Sequence, residues 1–195
     1  MTIAILKYNA GNVQSVIYAL NRLNVKCCLT DDPERILKSE KFIFPGVGEA
    51  SSAMEYLNAK GLREVIASLK QPVLGICLGM QLLSARTEEN NTNCMHIIDS
   101  AITKFVPSSG EKIPHMGWNK ISNLKGMLFK GISEQEFVYF VHSYRLGLSK
   151  YTSAVCDYCG EFSAAIEKDN FFAVQFHPEK SGKIGEKILQ NFLKL

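Results

Sequence analysis

The chain has 195 residues, a length that suits one domain spanning residues 1–195 around a well-developed core. Apolar residues make up 46%, which excludes a disordered chain. The net charge of +3 is spread without runs of like sign, so neither nucleic acid nor a membrane surface is an expected partner.

The first residues lack a basic leader, and their apolar run breaks at Lys7, so no secretory signal is expected and the predicted location is cytoplasmic. No apolar stretch reaches about 18 residues, so no membrane span is predicted. Without a secretory route the sequon Asn90-Asn91-Thr92 has no meaning. Residues 2–6 read as a buried strand. Asn12 then reads as the cap of a helix with Val13, Val16, Ile17, Leu20 and Leu23 on its apolar face. Residues 25–29 are a second strand. Asp31-Asp32-Pro33 starts a short helix running to Leu37. Residues 42–44 are a third strand, closed by Pro45-Gly46-Val47-Gly48. A helical region broken near Gly61 follows. Residues 72–76 then form a fourth strand, and a helix starts near Gly79. Strand and helix in alternation predict an α/β fold, a mostly parallel sheet with helices on both faces.

The second half reads as strands at 101–106, 118–121, 137–142, 152–156, 162–166 and 171–176. Turn residues such as Ser108-Ser109-Gly110 and Asp169-Asn170 separate them. They are expected as antiparallel additions at one side of the sheet. A last helix carries Ile184, Ile188, Leu189, Phe192 and Leu193 on one face.

Gly75-Ile76-Cys77-Leu78-Gly79 lies where a buried strand meets a helix. Small neighbours permit the tight turn of a nucleophile elbow, with Cys77 as nucleophile, and a helix N-terminus behind it favours a thiolate. The same pentapeptide also reads as a buried cysteine between packing glycines. A nucleophile needs a base and an orienting group. His177 follows the strand at 171–176, and Glu179 lies two residues on across Pro178. In extended backbone the two point to one side, so Cys77, His177 and Glu179 form a candidate triad. A surface histidine is the plainer reading of His177 alone. Pro45-Gly46-Val47-Gly48 offers backbone N–H groups for an oxyanion, or is an ordinary turn. No third glycine makes it a dinucleotide fingerprint.

Of six cysteines, five read as small apolar fillers. Cys156 and Cys159 have the spacing of half a zinc site, but no second pair follows, so neither a metal nor another cofactor is expected.

Together the elbow run to Leu83, the Gln175-Phe176-His177-Pro178-Glu179 run and the Pro-Gly strand resemble the triad-type, class I glutamine amidotransferases, a flavodoxin-like fold. Three further stretches narrow the resemblance to the glutaminase subunits of imidazole glycerol phosphate synthase in histidine biosynthesis. They are Ala10-Gly11-Asn12-Val13-Gln14-Ser15-Val16, Pro114-His115-Met116-Gly117-Trp118-Asn119 and Tyr139-Phe140-Val141-His142-Ser143-Tyr144. The resemblance implies that Cys77 attacks glutamine, that His177 moves protons and that Glu179 orients His177. It implies backbone oxyanion donors near Gly46, Val47 and Leu78, and glutamine contacts from Gly48, Gln81, Ser143 and Tyr144. It implies a heterodimer with a (β/α)8-barrel cyclase that makes imidazole glycerol phosphate and AICAR, with Trp118, Asn119 and Lys180 at the interface. Lys7, Asn9 and Arg145 depart from the pattern, and no role is carried to them. The same chemistry serving another acceptor synthase, and a non-catalytic scaffold subunit, are the alternatives.

Overall fold

The computed structural model describes residues 2–8, 13–107 and 110–195. The predicted cap Asn12, the departure Asn9 and the Ser108-Ser109 part of a predicted turn lie outside the described residues. In chain order the elements are β1 (Ile3–Leu6), α1 (Val13–Arg22), β2 (Cys27–Thr30), α2 (Pro33–Leu37), β3 (Lys41–Phe44), α3 (Ala50–Ala59), α4 (Leu62–Ser68), β4 (Val73–Ile76) and α5 (Leu78–Leu82). The second half adds β5 (Arg86–Thr87), β6 (Thr92–Asn93), β7 (Ala101–Lys104), β8 (His115–Lys120), β9 (Phe137–His142), β10 (Tyr144–Leu146), β11 (Thr152–Asp157), β12 (Glu161–Lys168), β13 (Phe171–Val174) and α6 (Gly182–Leu193).

The main sheet has seven strands in the order β11-β12-β13-β4-β3-β1-β2. The pairings of β2, β1, β3, β4 and β13 are parallel, whereas β12 and β11 run antiparallel. Side chains alternate between its faces, so an all-apolar strand such as β1 serves two cores. Ile3 and Ile5 join Val16 and Leu20 of α1 and Ile188 and Phe192 of α6. Ala4 and Leu6 join Ile36 of α2, Leu57 of α3 and Ile66 of α4. Helices therefore cover both faces, as the alternation predicted. Burying each large aliphatic or aromatic side chain contributes roughly 1.5–3 kcal/mol.

Several boundaries differ from the sequence reading. Val25 is not in β2, because its N–H bonds back to the Leu20 carbonyl and closes α1. Gly61 does break α3 from α4, in left-handed backbone (φ 63°). The helix after Cys77 has only five residues, and the chain at Met95, Ile97 and Ile98 donates to the carbonyls of Leu82 and Leu83 at its end.

The second half is less uniform than predicted. Only β11 and β12 are antiparallel additions at the sheet's side. β13 is parallel and inserts beside β4. β7 belongs to a small sheet in the order β10-β7-β5-β6, and β8 pairs only with β9 as a separate ribbon. The filler reading of the cysteines holds for buried Cys94 and Cys156, and half-buried Cys27 and Cys159 also pack against the core, whereas half-buried Cys28 does not; all six are free thiols. Among the described residues no helix is long and apolar enough to cross a membrane.

Candidate active site

Cys77 stands between β4 and α5 with φ 52° and ψ −105°. That backbone costs a residue bearing a Cβ about 1–3 kcal/mol and persists only where neighbours hold it. Here the Cys77 N–H donates to the Val174 carbonyl (2.8 Å), and its own carbonyl accepts from the Gln81 N–H (3.2 Å). Gly79 is required next to it, since a Cβ there would overlap the Phe44 carbonyl oxygen. This is the elbow predicted from the pentapeptide. The expected helix dipole is a weak contributor, because α5 is barely more than one turn.

His177 follows β13, which pairs directly with β4, so the imidazole arrives beside the elbow. Its N–H donates to the Tyr139 carbonyl (2.9 Å). Glu179 comes alongside through one turn of 3-10 helix over Pro178–Lys180, not through the extended backbone expected. Its Oε1 lies 2.8 Å from His177 Nδ1, with both side chains almost fully buried. The Ser181 hydroxyl donates to the His177 carbonyl (2.6 Å) and accepts the Tyr139 N–H (3.0 Å), which locks the turn. His177 Nε2 is buried with no well-formed hydrogen bond of its own. It faces the Cys77 thiol, an open geometry common in sites without substrate. Burial lowers the His177 pKa, but contact with Cys77 and Glu179 outweighs it and lifts the value to about 10. Contact with the sulfur and the carboxylate thus favours the protonated imidazole, the charge a nucleophilic thiolate needs nearby.

A pocket of about 290 Å³ opens over the sulfur. Val47, Gly48, Leu78, Gln81, Ser143 and Tyr144 line it with Cys77, so every predicted glutamine-contact residue borders one space. Gln81 does not turn its amide nitrogen free into that space. It bonds to Gln175 Oε1 (3.2 Å) and the Tyr144 carbonyl (3.3 Å).

One of the predicted oxyanion donors is already engaged. The Leu78 N–H donates to the Gly46 carbonyl (3.2 Å), so an acceptor occupies the donor that an oxyanion would use. Tyr8, given no role by the sequence reading, fixes this arrangement. Its hydroxyl donates to the Pro45 carbonyl (2.6 Å), and its ring packs on Phe44. Gly46 has to be glycine, because a Cβ would strike the Tyr8 hydroxyl. Burial, then the charge of Cys77, pushes the Tyr8 pKa up, so the phenol stays protonated as a donor.

A second buried group escaped the sequence reading. His142 Nδ1 lies 2.7 Å from the Tyr144 carbonyl, and its Nε2 lies 3.0 Å from His115 Nδ1. Burial holds His142 down near 3 and His115 near 4, so both rings are neutral. A carbonyl only accepts, so the proton of His142 is on Nδ1 and its Nε2 accepts from His115. His115 Nε2 then accepts from the Asn119 amide (3.3 Å).

The expected interface residues Trp118 and Asn119 differ in their surroundings. Trp118 and Asn119 are neighbours on β8 and point to opposite faces. Trp118 is 55% exposed, meets Tyr139 edge to face, and Tyr139 lies under the Lys180 ammonium. Asn119 turns inward to His115 and the Asp157 carbonyl. With exposed Met116 and Phe137, the outer ribbon forms one aromatic and aliphatic face beside the turn that carries His177. Arg145 clasps the Cys159 and Gly160 carbonyls (both 2.9 Å) and lies over the Phe105 ring. The exposed Lys7 donates its backbone N–H to the Thr30 carbonyl (3.0 Å). Among the described residues no cluster of three or more His, Cys, Asp or Glu is arranged to hold a metal.

An elbow cysteine, an imidazole–carboxylate pair and a lined pocket at the ends of parallel strands define an amidohydrolytic glutaminase class. A family model described as glutamine amidotransferase class-I matches residues 5–195, and the chain belongs to that family. Imidazole glycerol phosphate synthase subunit HisH of Bacteroides fragilis is 55% identical over 196 residues, covering 100% of both chains. The subunit of that name from Bacteroides thetaiotaomicron is 54% identical with the same coverage, so within the family the chain groups with the HisH subunits. The structure of PurLQS from Thermotoga maritima shares the fold, with a TM-score of 0.71 at 20% identity over 99% of this chain and 97% of that one.

Proposed function

We propose that the chain is the glutaminase subunit of an imidazole glycerol phosphate synthase and that Cys77, His177 and Glu179 carry its chemistry. The sulfur attacks the side-chain carbonyl carbon of glutamine. The tetrahedral intermediate collapses, the C–N bond breaks and His177 gives a proton to the departing ammonia, leaving a thioester. Water then adds with His177 as base, the C–S bond breaks, and glutamate leaves with Cys77 regenerated. Glu179 holds the imidazole through Nδ1 so that Nε2 faces the sulfur. Gly48, Gln81, Ser143 and Tyr144 hold glutamine. One observation carries this reading: Cys77 lines the pocket, and the buried imidazole of His177, 100 positions along the chain and paired with Glu179, is in contact with its sulfur. Cys77→Ala should abolish glutamine-dependent synthesis by the complex and spare synthesis from added ammonia. Loss of both activities would show that Cys77 only supports the fold.

The relatives are named as subunits, so the chain works in a multi-subunit enzyme. The finer reading is a heterodimer with a (β/α)8-barrel cyclase that makes imidazole glycerol phosphate and AICAR, in the cytoplasm and without a cofactor of its own. The Trp118–Tyr139–Lys180 face supports it, because the Tyr139 carbonyl accepts the His177 N–H, so a partner docked there lies beside the turn that carries the base. Ammonia is mostly ammonium in water at neutral pH, and a closed route keeps it nucleophilic. Partner docking re-aims the Pro45–Gly48 strand, frees the Leu78 N–H and completes the oxyanion site around Gly46 and Val47. The test is glutamate release with and without the cyclase. Equal rates would refute this coupling.

A further inference from the structure

Gln175 is fully buried, and its side chain is the link between the pocket wall and the nucleophile. The Tyr144 carbonyl can only accept, and it faces Gln81 Nε2 at 3.3 Å. The same nitrogen faces Gln175 Oε1 at 3.2 Å. Both amide orientations follow from that fixed start: oxygen of Gln175 toward Gln81, nitrogen of Gln175 toward Cys77 Sγ at 3.6 Å. The backbone adds to the fixation, with the Gln175 N–H donating to the Ala164 carbonyl (2.8 Å). An apolar residue of similar volume would fill this place without the cost of burying an amide. Both ends of the amide are satisfied instead, and one is spent on sulfur. The thiol proton has its own acceptor, the Val141 carbonyl at 3.8 Å. When that proton leaves, the Gln175 N–H remains as a side-chain donor aimed at the charge.

We propose that Gln175 is a catalytic residue whose side-chain N–H binds the Cys77 sulfur, stabilising it as thiolate before attack and as leaving group when the thioester breaks. Gln81 is the positioning residue that holds this amide in its working orientation. The assignment rests on Cys77 being the nucleophile.

The test is iodoacetamide alkylation of the full chain, read at the Cys77 peptide by mass spectrometry over a range of pH. Gln175→Glu keeps the shape and the acceptor toward Gln81 but points an oxygen at the sulfur. Alkylation at pH 7 should slow about 10- to 100-fold, as for loss of a hydrogen bond to a charged group. Its pH profile should move to the alkaline side, while Cys28, on another edge of the fold, reacts unchanged. Gln175→Met removes the donor without adding charge and should move both readouts the same way by less. Unchanged rate and profile in either folded variant would reduce Gln175 to a packing residue. Should neither fold, the unsubstituted chain decides: its Gln175 side-chain amide proton resonance must shift as Cys77 is deprotonated, and a fixed resonance overturns the proposal. None of these readouts needs glutamine turnover. A wild-type complex that releases no glutamate would instead sink the glutaminase reading itself.

Discussion

At the residue scale Tyr8 stands in none of the motifs that carried the resemblance, and Gln175 stands in one without being given a role by it. Each is a polar group made useful by partners far along the chain: Pro45 for Tyr8, and Gln81 and Cys77, 94 and 98 residues away, for Gln175. The candidate triad could be picked out because its residue types are chemically restricted and Cys77 and His177 each come at the end of an apolar strand. A tyrosine or glutamine fits too many surroundings to be read that way. Tyr8→Phe removes a hydrogen bond of about 1 kcal/mol that holds the Pro45 carbonyl in place. Glutamine hydrolysis by the chain without a partner should rise about fivefold, measured as glutamate release. An unchanged rate would mean that the strand is held by something other than the phenol.

Among the elements, β1, β4 and β13 were readable because a strand buried on both faces carries apolar or small residues at every position. β5, β6 and β10 have only two or three residues, too few for any period to register. The β8–β9 ribbon shows a different limit. Alternation reveals which residues share a face but not which strand lies beside them, so its separation from the main sheet was not visible. The ribbon's outer face makes its own prediction. Trp118→Ala removes an exposed ring whose contact within the fold is an edge-to-face meeting with Tyr139. Thermal unfolding should change little, while affinity for the partner falls about 30-fold or more, as for an aromatic hot spot, measured by titration calorimetry. The elbow predicts the opposite pattern. Gly79→Ala forces α5 away from the Phe44 carbonyl and should lower stability by about 1–3 kcal/mol in urea unfolding.

Across the whole molecule, buried histidines give stability two limbs in pH. His115 and His142 have folded pKa values near 4 and 3, below the unfolded value. The unfolded chain takes up their protons first, so stability falls as pH drops from about 6.5 toward those values. His177 is raised to about 10, so its contribution is complete below about 6.5 and is lost as pH rises through 10. The melting temperature should therefore decline on both sides of an optimum. His142→Gln should flatten the acid limb and leave the alkaline one, and a wild-type acid limb in that variant would assign the effect to other groups.

The carbonyl of Gly46 resting on the Leu78 N–H has a consequence for supply. Cells seldom make two chains in equal amounts, and a surplus of this one would otherwise drain a major nitrogen store and shed a toxic base. On the proposed coupling, an unmatched copy whose own backbone occupies the Leu78 N–H releases glutamate slowly, so consumption follows the number of assembled enzymes and not the number of chains translated.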